Sequence, residues 1–175
     1  MGWGCTDFGS GNFGRRGILL LTVRNGVWQR PGSRVYAEKV IVMEDGQEAP
    51  YHFHRTKTED ILVRGGGCLG LDLVNVTPDG VPIEAPVTVM VDGERRTLAA
   101  RSPVMLCPGE SLTLPPFQAH RFYGWPGTGP VLAGEVSEVN DDLTDNYFLE
   151  PLEPMVIEED EPPYRPLWTE LLASS

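Results

Sequence analysis

Short runs of apolar residues recur along the chain and are separated by turn-forming residues. Within several runs apolar and polar positions alternate, as in RVYAEKVIVME (34–44) and PVTVMVDG (86–93). This alternation is typical of β-strands that bury one face. The breaks between the runs are rich in glycine, proline and aspartate, as in TPDG (77–80) and LPP (114–116). Many short strands divided by such turns predict an all-β sandwich or barrel.

The domain organisation follows from length and from where this pattern ends. A chain of 175 residues can form one domain with a sizeable core, and no internal repeat divides it. We therefore predict a single domain over residues 1–175, with a barrel core at about 17–140. The remainder, 141–175, is acidic and rich in proline but retains apolar residues to bury, which predicts an irregular arm around the barrel. Its last segment, RPLWTELLASS (165–175), predicts one short helix.

Charge and cysteine usage narrow the function classes. With 14 Lys and Arg against 25 Asp and Glu, the net charge is −11, which argues against nucleic-acid and anionic-membrane partners. The apolar runs are too short to span a membrane, and no signal peptide is evident. The three cysteines form no CxxC pair, and Cys68 and Cys107 lie in apolar runs. We expect free thiols, those two buried, and a reducing, cytoplasmic location.

The segment YHFHRTKTED (51–60) contains two of the three histidines of the chain. In a strand, His52 and His54 point to the same face, and Glu59 follows where a loop can turn its carboxylate back. The remaining histidine is His120. These residues could be ordinary strand-end side chains, but chance seldom gathers all histidines into one place. Three histidines and one carboxylate suit Mn²⁺, which we favour, or Co²⁺, Fe²⁺, Ni²⁺ or Zn²⁺.

The spacing of these residues resembles the two signature motifs of the cupin superfamily. The first reads HxH, four residues, Glu, five residues, Gly, at His52, His54, Glu59 and Gly65. The second runs from Gly109 through Pro115 to His120 and departs at Phe117, where the motif usually carries glycine. The departure affects a turn rather than a ligand. The resemblance implies a cupin-type jelly-roll β-barrel that binds one metal ion through its three histidines and one glutamate.

Two further residues are candidates for proton transfer. Lys57 lies between His54 and Glu59, where a nearby cation can lower the pKa of its ammonium group; otherwise it is a solvated loop lysine. Glu135 lies in the apolar strand LAGEVSEV (132–139) and is a candidate base if it faces inward, or an exposed strand residue if it faces outward. The acidic residues of the arm form a solvated surface or supply the base instead.

Much of the chain, from about Trp3 to Pro163, resembles the D-lyxose isomerase family of cupin sugar isomerases. The segments that carry the resemblance are WGCTDFGSGNFGRRGILLLTVRNG, YAEKVIV, HFHRTKTEDILVRGGGCLGLDLVN, PVTVMVDGERRTL, PGESLTLPPFQAHRFYG, GEVSEVNDDLTDNYFLEP and IEEDEPP. Members usually begin with an additional helical stretch that is not in this sequence. Tyr147 and the pair Pro154–Met155 stand where the family commonly has basic or aromatic residues, which bears on sugar preference.

The resemblance implies an aldose–ketose isomerase that interconverts D-lyxose and D-xylulose, and often D-mannose and D-fructose, through a metal-stabilised cis-enediol. It implies Mn²⁺ bound by His52, His54, Glu59 and His120, with Lys57 as proton shuttle. We assign the base to Glu135 or to a carboxylate of the arm. A metal-dependent oxygenase and a non-catalytic sugar-binding cupin are the alternatives. The substrate is expected to be a small neutral sugar, and the protein a homodimer, since such barrels commonly pair through an edge strand.

Overall fold

The described part of the protein consists of β-strands and the turns between them. The computed structural model describes residues 2–141 and 144–153. The strands are β1 (Gly2–Thr6), β2 (Ile18–Arg24), β3 (Tyr36–Met43), β4 (Glu48–Phe53), β5 (Glu59–Gly66), β6 (Leu69–Val76), β7 (Pro82–Ile83), β8 (Val87–Val91), β9 (Glu94–Leu98), β10 (Pro103–Leu106), β11 (Ser111–Leu114), β12 (Gln118–Gly124), β13 (Val131–Glu138) and β14 (Tyr147–Phe148).

The strands form two antiparallel sheets that pack against each other. One has eight strands in the order β1-β2-β3-β13-β5-β11-β8-β9, and the other has six, β10-β6-β12-β4-β14 with β7 paired to β6. From β3 to β6, and again from β10 to β13, successive strands alternate between the two sheets, which is the connectivity of a jelly roll. The predicted all-β, cupin-type fold is confirmed.

The inner faces of the two sheets divide into an apolar end and a polar end. On β3, Ile41 and Met43 are buried in the main core, whereas Lys39 faces inward at the other end. The same division recurs on β13, where Ala133 lies in the core and Glu135 is buried opposite Lys39. Core packing thus fixes the strands at one end of the barrel, and the polar side chains gather at the other.

Both chain ends extend the structure beyond the predicted barrel core. The glycine-rich segment of β1 shows no clear strand pattern, yet it pairs with β2 as an edge strand, with Trp3 opposite Leu21. Strand β14 of the arm pairs with β4. The predicted helix at 165–175 lies outside the described residues, and the single-domain assignment stays a prediction. Within residues 2–141 and 144–153, no helix is long and apolar enough to cross a membrane.

The cysteines differ from expectation. Cys68 and Cys107 form a disulfide, with their Cα atoms 4.3 Å apart, and both are half-buried rather than core thiols. They flank the β6–β10 pairing, in which Leu69 lies opposite Leu106, so the strand register brings them together. The prediction of free thiols was wrong for this pair and holds for Cys5, which is exposed. The cytoplasmic location was inferred mainly from the expected free thiols. It now lacks that support and stays a prediction.

Candidate metal centre

Two of the predicted ligands lie on neighbouring strands of the six-stranded sheet. His52 on β4 lies directly opposite His120 on β12, so the two side chains share a face. Before this pair, Pro50 and Tyr51 of β4 together oppose Arg121, which constitutes a β-bulge. The bulge shifts the alternation of β4 by one residue. As a result both the core end of the strand and His52 face the barrel interior.

The other two predicted ligands complete a compact cluster. His54 follows the end of β4, and Glu59 is the first residue of β5 in the opposite sheet. One ligand atom from each of His52, His54, Glu59 and His120 lies within 4.8 Å of all the others. The Nε2 atom of His120 lies 2.9 Å from Glu59 Oε1, and that of His54 lies 3.5 Å from Glu59 Oε2. The structure thus brings together the four side chains that the spacing indicated.

The tautomers of the histidines follow from their backbone contacts. Nδ1 of His52 lies 3.1 Å from the Pro50 carbonyl, and Nδ1 of His120 lies 3.1 Å from the Gln118 carbonyl. Nδ1 of His54 contacts the carbonyl of Asp145. A carbonyl can only accept, so each Nδ1 carries the proton and each Nε2 offers a lone pair. Such carbonyl partners are typical of metal-binding histidines.

Facing lone pairs show that a cation fits this site. The Nε2 atoms of His52 and His120 are 3.0 Å apart. Because both protons are on Nδ1, this contact is not a hydrogen bond but a repulsive approach of two lone pairs. The buried Nε2 of His54 also has no hydrogen-bond partner in the described part of the chain. A divalent ion bound at the common point would satisfy all three nitrogens.

The protonation states at the cluster also suit metal binding. Burial, together with the neighbouring histidines, lowers the pKa of His52 well below its usual value. Burial is also the main cause of the lowered pKa of His54. Burial opposes ionisation of Glu59, but nearby positive charge, that of Lys57 foremost, outweighs it and holds the pKa of that carboxyl well below its usual range. Neutral imidazoles and an ionised carboxylate are the ligand forms that a metal requires.

Lys57 is buried between two carboxylates. Its Nζ lies 2.8 Å from Glu59 Oε2 and 3.0 Å from Glu135 Oε1. It also donates a hydrogen bond to Asn140 Oδ1, at 3.2 Å. Burial alone would lower the pKa of Lys57, but the two carboxylates raise it above its usual value. The solvated-loop interpretation was therefore wrong, because Lys57 is buried, whereas a lowering of its pKa by a bound cation stays a prediction. The lysine is a cation that bridges the cluster and Glu135.

Glu135 faces inward, as the base assignment requires. Its neighbour across the β13–β3 pairing is Lys39, whose Nζ lies 3.3 Å from Glu135 Oε1 and 2.7 Å from Asn140 Oδ1. Our sequence reasoning missed Lys39 and Asn140. For Lys39 a signal existed, because strict alternation in AEKVIVM (37–43) places it on the buried face with Ile41. Two ammonium groups and two carboxylates therefore lie side by side at the polar end of the barrel.

Asp145 holds the loop that carries Lys57. Its carboxylate accepts hydrogen bonds from the backbone N–H of Arg55 at 2.7 Å and of Lys57 at 3.1 Å, and from the Thr56 hydroxyl at 2.7 Å. Burial would raise the pKa of Asp145, but these hydrogen bonds, that of Thr56 foremost, lower it. Sequence reasoning did not single out Asp145. Its carboxylate is committed to the loop, which leaves it poorly suited to act as the base.

Phe117 shows how the departure from the second cupin motif is accommodated. Its φ angle is 61°, in the left-handed region that favours glycine. Its N–H donates to the His54 carbonyl at 2.8 Å, and its carbonyl accepts from Val76 N–H at 2.9 Å. The ring packs near Phe53, with the centroids 6.4 Å apart. The residue therefore affects a turn, as predicted, and this turn positions the backbone next to His54.

The arm contributes aromatic rings on both sides of β4. The ring of Phe148 lies 5.7 Å from that of His52, so it borders the cluster. Tyr147 faces the other way, where it stacks on Phe53 at 5.3 Å and lies under the guanidinium of Arg55 at 4.1 Å. Of these two aromatic residues, only Phe148 therefore borders the cluster. The pair at 154–155 lies outside the described residues.

A jelly roll with three histidines and one glutamate gathered inside one end defines the protein as a cupin that could hold a divalent metal ion. Comparison with known proteins gives the family. The model of the D-lyxose isomerase family matches residues 1–171, and the chain belongs to that family of aldose–ketose isomerases. The protein is therefore an enzyme.

Individual relatives agree with this assignment. The D-lyxose/D-mannose isomerase of Serratia proteamaculans is 49% identical over 166 residues, which cover 93% of this chain and 72% of that protein. The enzyme of the same name from Escherichia coli O157:H7 is 46% identical over 164 residues, with the same coverage of 93% and 72%.

Solved structures support the fold alone. L-ribose isomerase from Cellulomonas parahominis superposes with a TM-score of 0.58 at 18% identity, over 78% of this chain and 70% of that chain. L-ribose isomerase from Acinetobacter sp. DL28, in complex with L-ribose, superposes with a TM-score of 0.55 at 16% identity, over 77% and 70%.

Proposed function

We propose that this isomerase interconverts D-lyxose with D-xylulose and D-mannose with D-fructose through a cis-enediol intermediate. The observation that carries the proposal is the contact of Lys57 with both Glu59 of the cluster and Glu135. The names of the two relatives, both D-lyxose/D-mannose isomerases, supply the sugars. The direct test is to incubate the metal-loaded protein with a panel of aldoses and to measure the ketoses formed.

The cluster would hold the metal ion, which we propose to be Mn²⁺, with Co²⁺, Fe²⁺, Ni²⁺ and Zn²⁺ as alternatives. The proposed ligands are Nε2 of the three histidines and the carboxylate of Glu59. When bound, such an ion polarises the carbonyl and hydroxyl oxygens of the open-chain sugar and stabilises the negative charge that develops on them. Activity measured after reconstitution with each metal, together with metal content, identifies the native ion.

We assign Glu135 as the base that moves the carbon-bound proton. In the direction from aldose to ketose its carboxylate takes the proton from C2 and returns it to C1. Both lysine contacts are made to Oε1 of this carboxylate, which leaves Oε2 for the substrate. Lys39 and Asn140 act as positioning residues, since they hold Glu135 and Lys57 in place.

Lys57 is the candidate for moving the proton between the two sugar oxygens. Its three donors and its buried place between Glu59 and Glu135 allow it to give a proton to one oxygen and to be reprotonated from the other.

Replacing Lys57 with methionine should lower kcat by about 10²-fold or more, the size expected of an acid–base group. Metal content should stay at or above the wild-type level, because the variant removes a cation that competes for Glu59. Arg55→Met is the matched control, since that guanidinium lies over Tyr147 and outside the cluster. Equal activity of the two variants would assign the shuttle to another group.

Family membership favours isomerisation over the two alternatives, an oxygenase and a sugar-binding cupin without activity. An oxygenase consumes oxygen, whereas an isomerase redistributes hydrogen within the sugar. Turnover of D-lyxose under strict anaerobiosis, at the rate seen in air, would therefore exclude the oxygenase. Binding of sugar without ketose formation would instead indicate a sensor.

The substrate is expected to be unphosphorylated. A phosphate needs several converging donors to offset its desolvation. Lys57 and Lys39 already contact Glu135, while Arg64 pairs with Glu38, and Arg121 with Glu48 and Asp72. We expect kcat/KM to be at least about tenfold higher for D-mannose than for D-mannose 6-phosphate, or about 1.4 kcal/mol. The reverse preference would move the protein to the sugar-phosphate isomerases.

A further inference from the structure

The side chain of Gln118 carries a buried hydrogen-bond acceptor that no described group of the protein satisfies. Gln118 is the first residue of β12 and is only 3% exposed. Its Nε2 donates to Asn75 Oδ1 at 3.1 Å and to the Thr88 carbonyl at 3.2 Å. Its Oε1 is buried and has no hydrogen-bond partner within residues 2–141 and 144–153. Because a bare buried acceptor is costly, this atom calls for a partner.

The orientation of the Gln118 amide follows from its contact with Thr88. A backbone carbonyl can only accept, so the amide atom 3.2 Å from the Thr88 oxygen must be the nitrogen. The reversed amide would bring two oxygens into contact there. The atom left open is therefore the oxygen, and the partner that it needs is a hydrogen-bond donor such as a hydroxyl group.

Gln118 lies beside the metal centre on the inner face of the six-stranded sheet. It is two residues from His120 on β12, so both side chains point to the same face. The N–H of the preceding residue, Phe117, donates to the His54 carbonyl at 2.8 Å, which places the beginning of β12 next to His54. Gln118 is thus a neighbour of two of the proposed metal ligands.

The open oxygen of Gln118 faces the side of β12 on which the histidines of β4 lie. The two groups that accept from Nε2 belong to β6 and β8, and these two strands contact each other. Strand β4 lies on the opposite side of β12 from β6. The oxygen and the nitrogen of an amide point in different directions, so Oε1 is turned away from β6 and β8.

The packing of the barrel also fixes the direction in which a bound sugar extends. Lys57 and Glu135 would act on C1 and C2 of the sugar. On one side of His120 the next inward residue of β12 is Phe122, which is buried in the main core opposite Leu71. That side is filled, so the remaining carbons must extend the other way. Gln118 lies there, about 7 Å along the strand from His120.

We propose that Gln118 is a substrate-binding residue whose Oε1 accepts a hydrogen bond from a sugar hydroxyl beyond C2. This inference rests on the proposed function and deepens it, since it names a residue that recognises the part of the sugar that does not react. Asn75 is a positioning residue, because its Oδ1 holds the amide of Gln118 in this orientation. A sugar without the hydroxyl leaves the buried acceptor unpaired, so the site selects against it.

The test combines sugars that each lack one hydroxyl with a variant that lacks the acceptor. The sugars are D-lyxose and its 3-deoxy, 4-deoxy and 5-deoxy analogues, and the proteins are full-length, metal-loaded wild type and Gln118→Met. For the wild type we expect kcat/KM to be about tenfold lower, or less, for one of the analogues than for D-lyxose. In Gln118→Met that preference should disappear, while KM for D-lyxose rises by about tenfold. Because each sugar is compared between two proteins, differences in its open-chain fraction cancel.

Gln47→Met is the matched control. Gln47 is also a buried amide, 1% exposed, but its Oε1 accepts from Glu44 N–H and its Nε2 donates to the Phe13 carbonyl. The control should keep the preference of the wild type. A Gln118→Met protein that also keeps it would show that the acceptor binds water or another part of the chain, which overturns the proposal. A wild type that treats all four sugars alike overturns it as well.

Two further measurements separate this proposal from the proposed function and from misfolding. If the wild type forms no ketose, the proposed function fails, and the rise in melting temperature with each sugar tests Gln118 instead. A larger rise with D-lyxose than with one analogue, lost in Gln118→Met, would support the residue; equal rises, or none, would overturn it. If Gln118→Met does not fold, Gln118→Glu decides. A charged acceptor strengthens the hydrogen bond, so the preference should grow severalfold, and an unchanged or smaller preference overturns the proposal.

Discussion

Replacing Glu59 with glutamine is expected to abolish metal binding and, with it, turnover. The substitution preserves shape but removes the negative charge from a cluster whose other members are three imidazoles. It also removes the negative charge that lies 2.8 Å from the buried ammonium of Lys57, so that the lysine repels an incoming ion more strongly. Even the loss of a hydrogen-bond partner of a metal ligand costs 10- to 100-fold in affinity. Loss of a charged ligand should therefore exceed about 100-fold.

Metal content by mass spectrometry, and the rise in melting temperature when Mn²⁺ is added, measure this effect without reference to activity. Asp60→Asn is the matched control, because the adjacent carboxylate is exposed and accepts a hydrogen bond from Thr113. It should bind metal as the wild type does. A Glu59→Gln protein that retains a full equivalent of metal would show that the glutamate is not a ligand.

Replacing Glu135 with glutamine should lower kcat by about 10²- to 10⁴-fold while metal content stays unchanged. An amide oxygen can still accept the hydrogen bond from Lys57, so the site should retain its shape, but an amide cannot take a proton from carbon. Glu138→Gln is the matched control, since that carboxylate points outward and accepts the backbone N–H of Thr58 at 2.9 Å.

Isotope exchange identifies the step that Glu135 performs. In D₂O the wild type should incorporate deuterium at C2 of the recovered aldose or at C1 of the ketose, whereas Glu135→Gln should incorporate little. If Glu135→Gln turns over normally, the base is another group, and the carboxylates of 157–161, outside the described residues, become candidates. If the variant folds but loses both activity and metal, Glu135 maintains the structure of the metal centre and is not shown to be the base.

The fold and the metal cluster could be predicted because both rest on local spacing. Alternation of apolar residues identified the strands, and HxH with a following glutamate placed three ligands close together in sequence, at the end of β4 and the start of β5. The contacts around Glu135 could not be predicted with equal ease. Its pairing with Lys39 depends on β3 and β13 being neighbours, which is a matter of sheet order rather than of local sequence.

Features that arise only from packing could not be predicted from the sequence. The β-bulge at Pro50 and Tyr51 breaks the alternation that strand prediction relies on, and strict alternation from Ala49 would have turned Tyr51 inward. The disulfide forms because the ends of β6 and β10 meet, although the two cysteines are 39 residues apart in sequence. The raised pKa of Lys57 depends on Glu135, which lies on a different strand.

Asp145 makes the arm and the metal centre thermodynamically linked. Its backbone carbonyl orients the imidazole of His54, and its carboxylate fixes the loop of Lys57, so a single residue of the arm contacts both parts of the site. Binding equilibria that share such a contact are reciprocal. Whatever factor the docked arm adds to metal affinity, the bound metal adds to arm docking. Depleting the protein of metal should therefore expose the segment around Asp145 to proteases, and cleavage there should in turn release the metal.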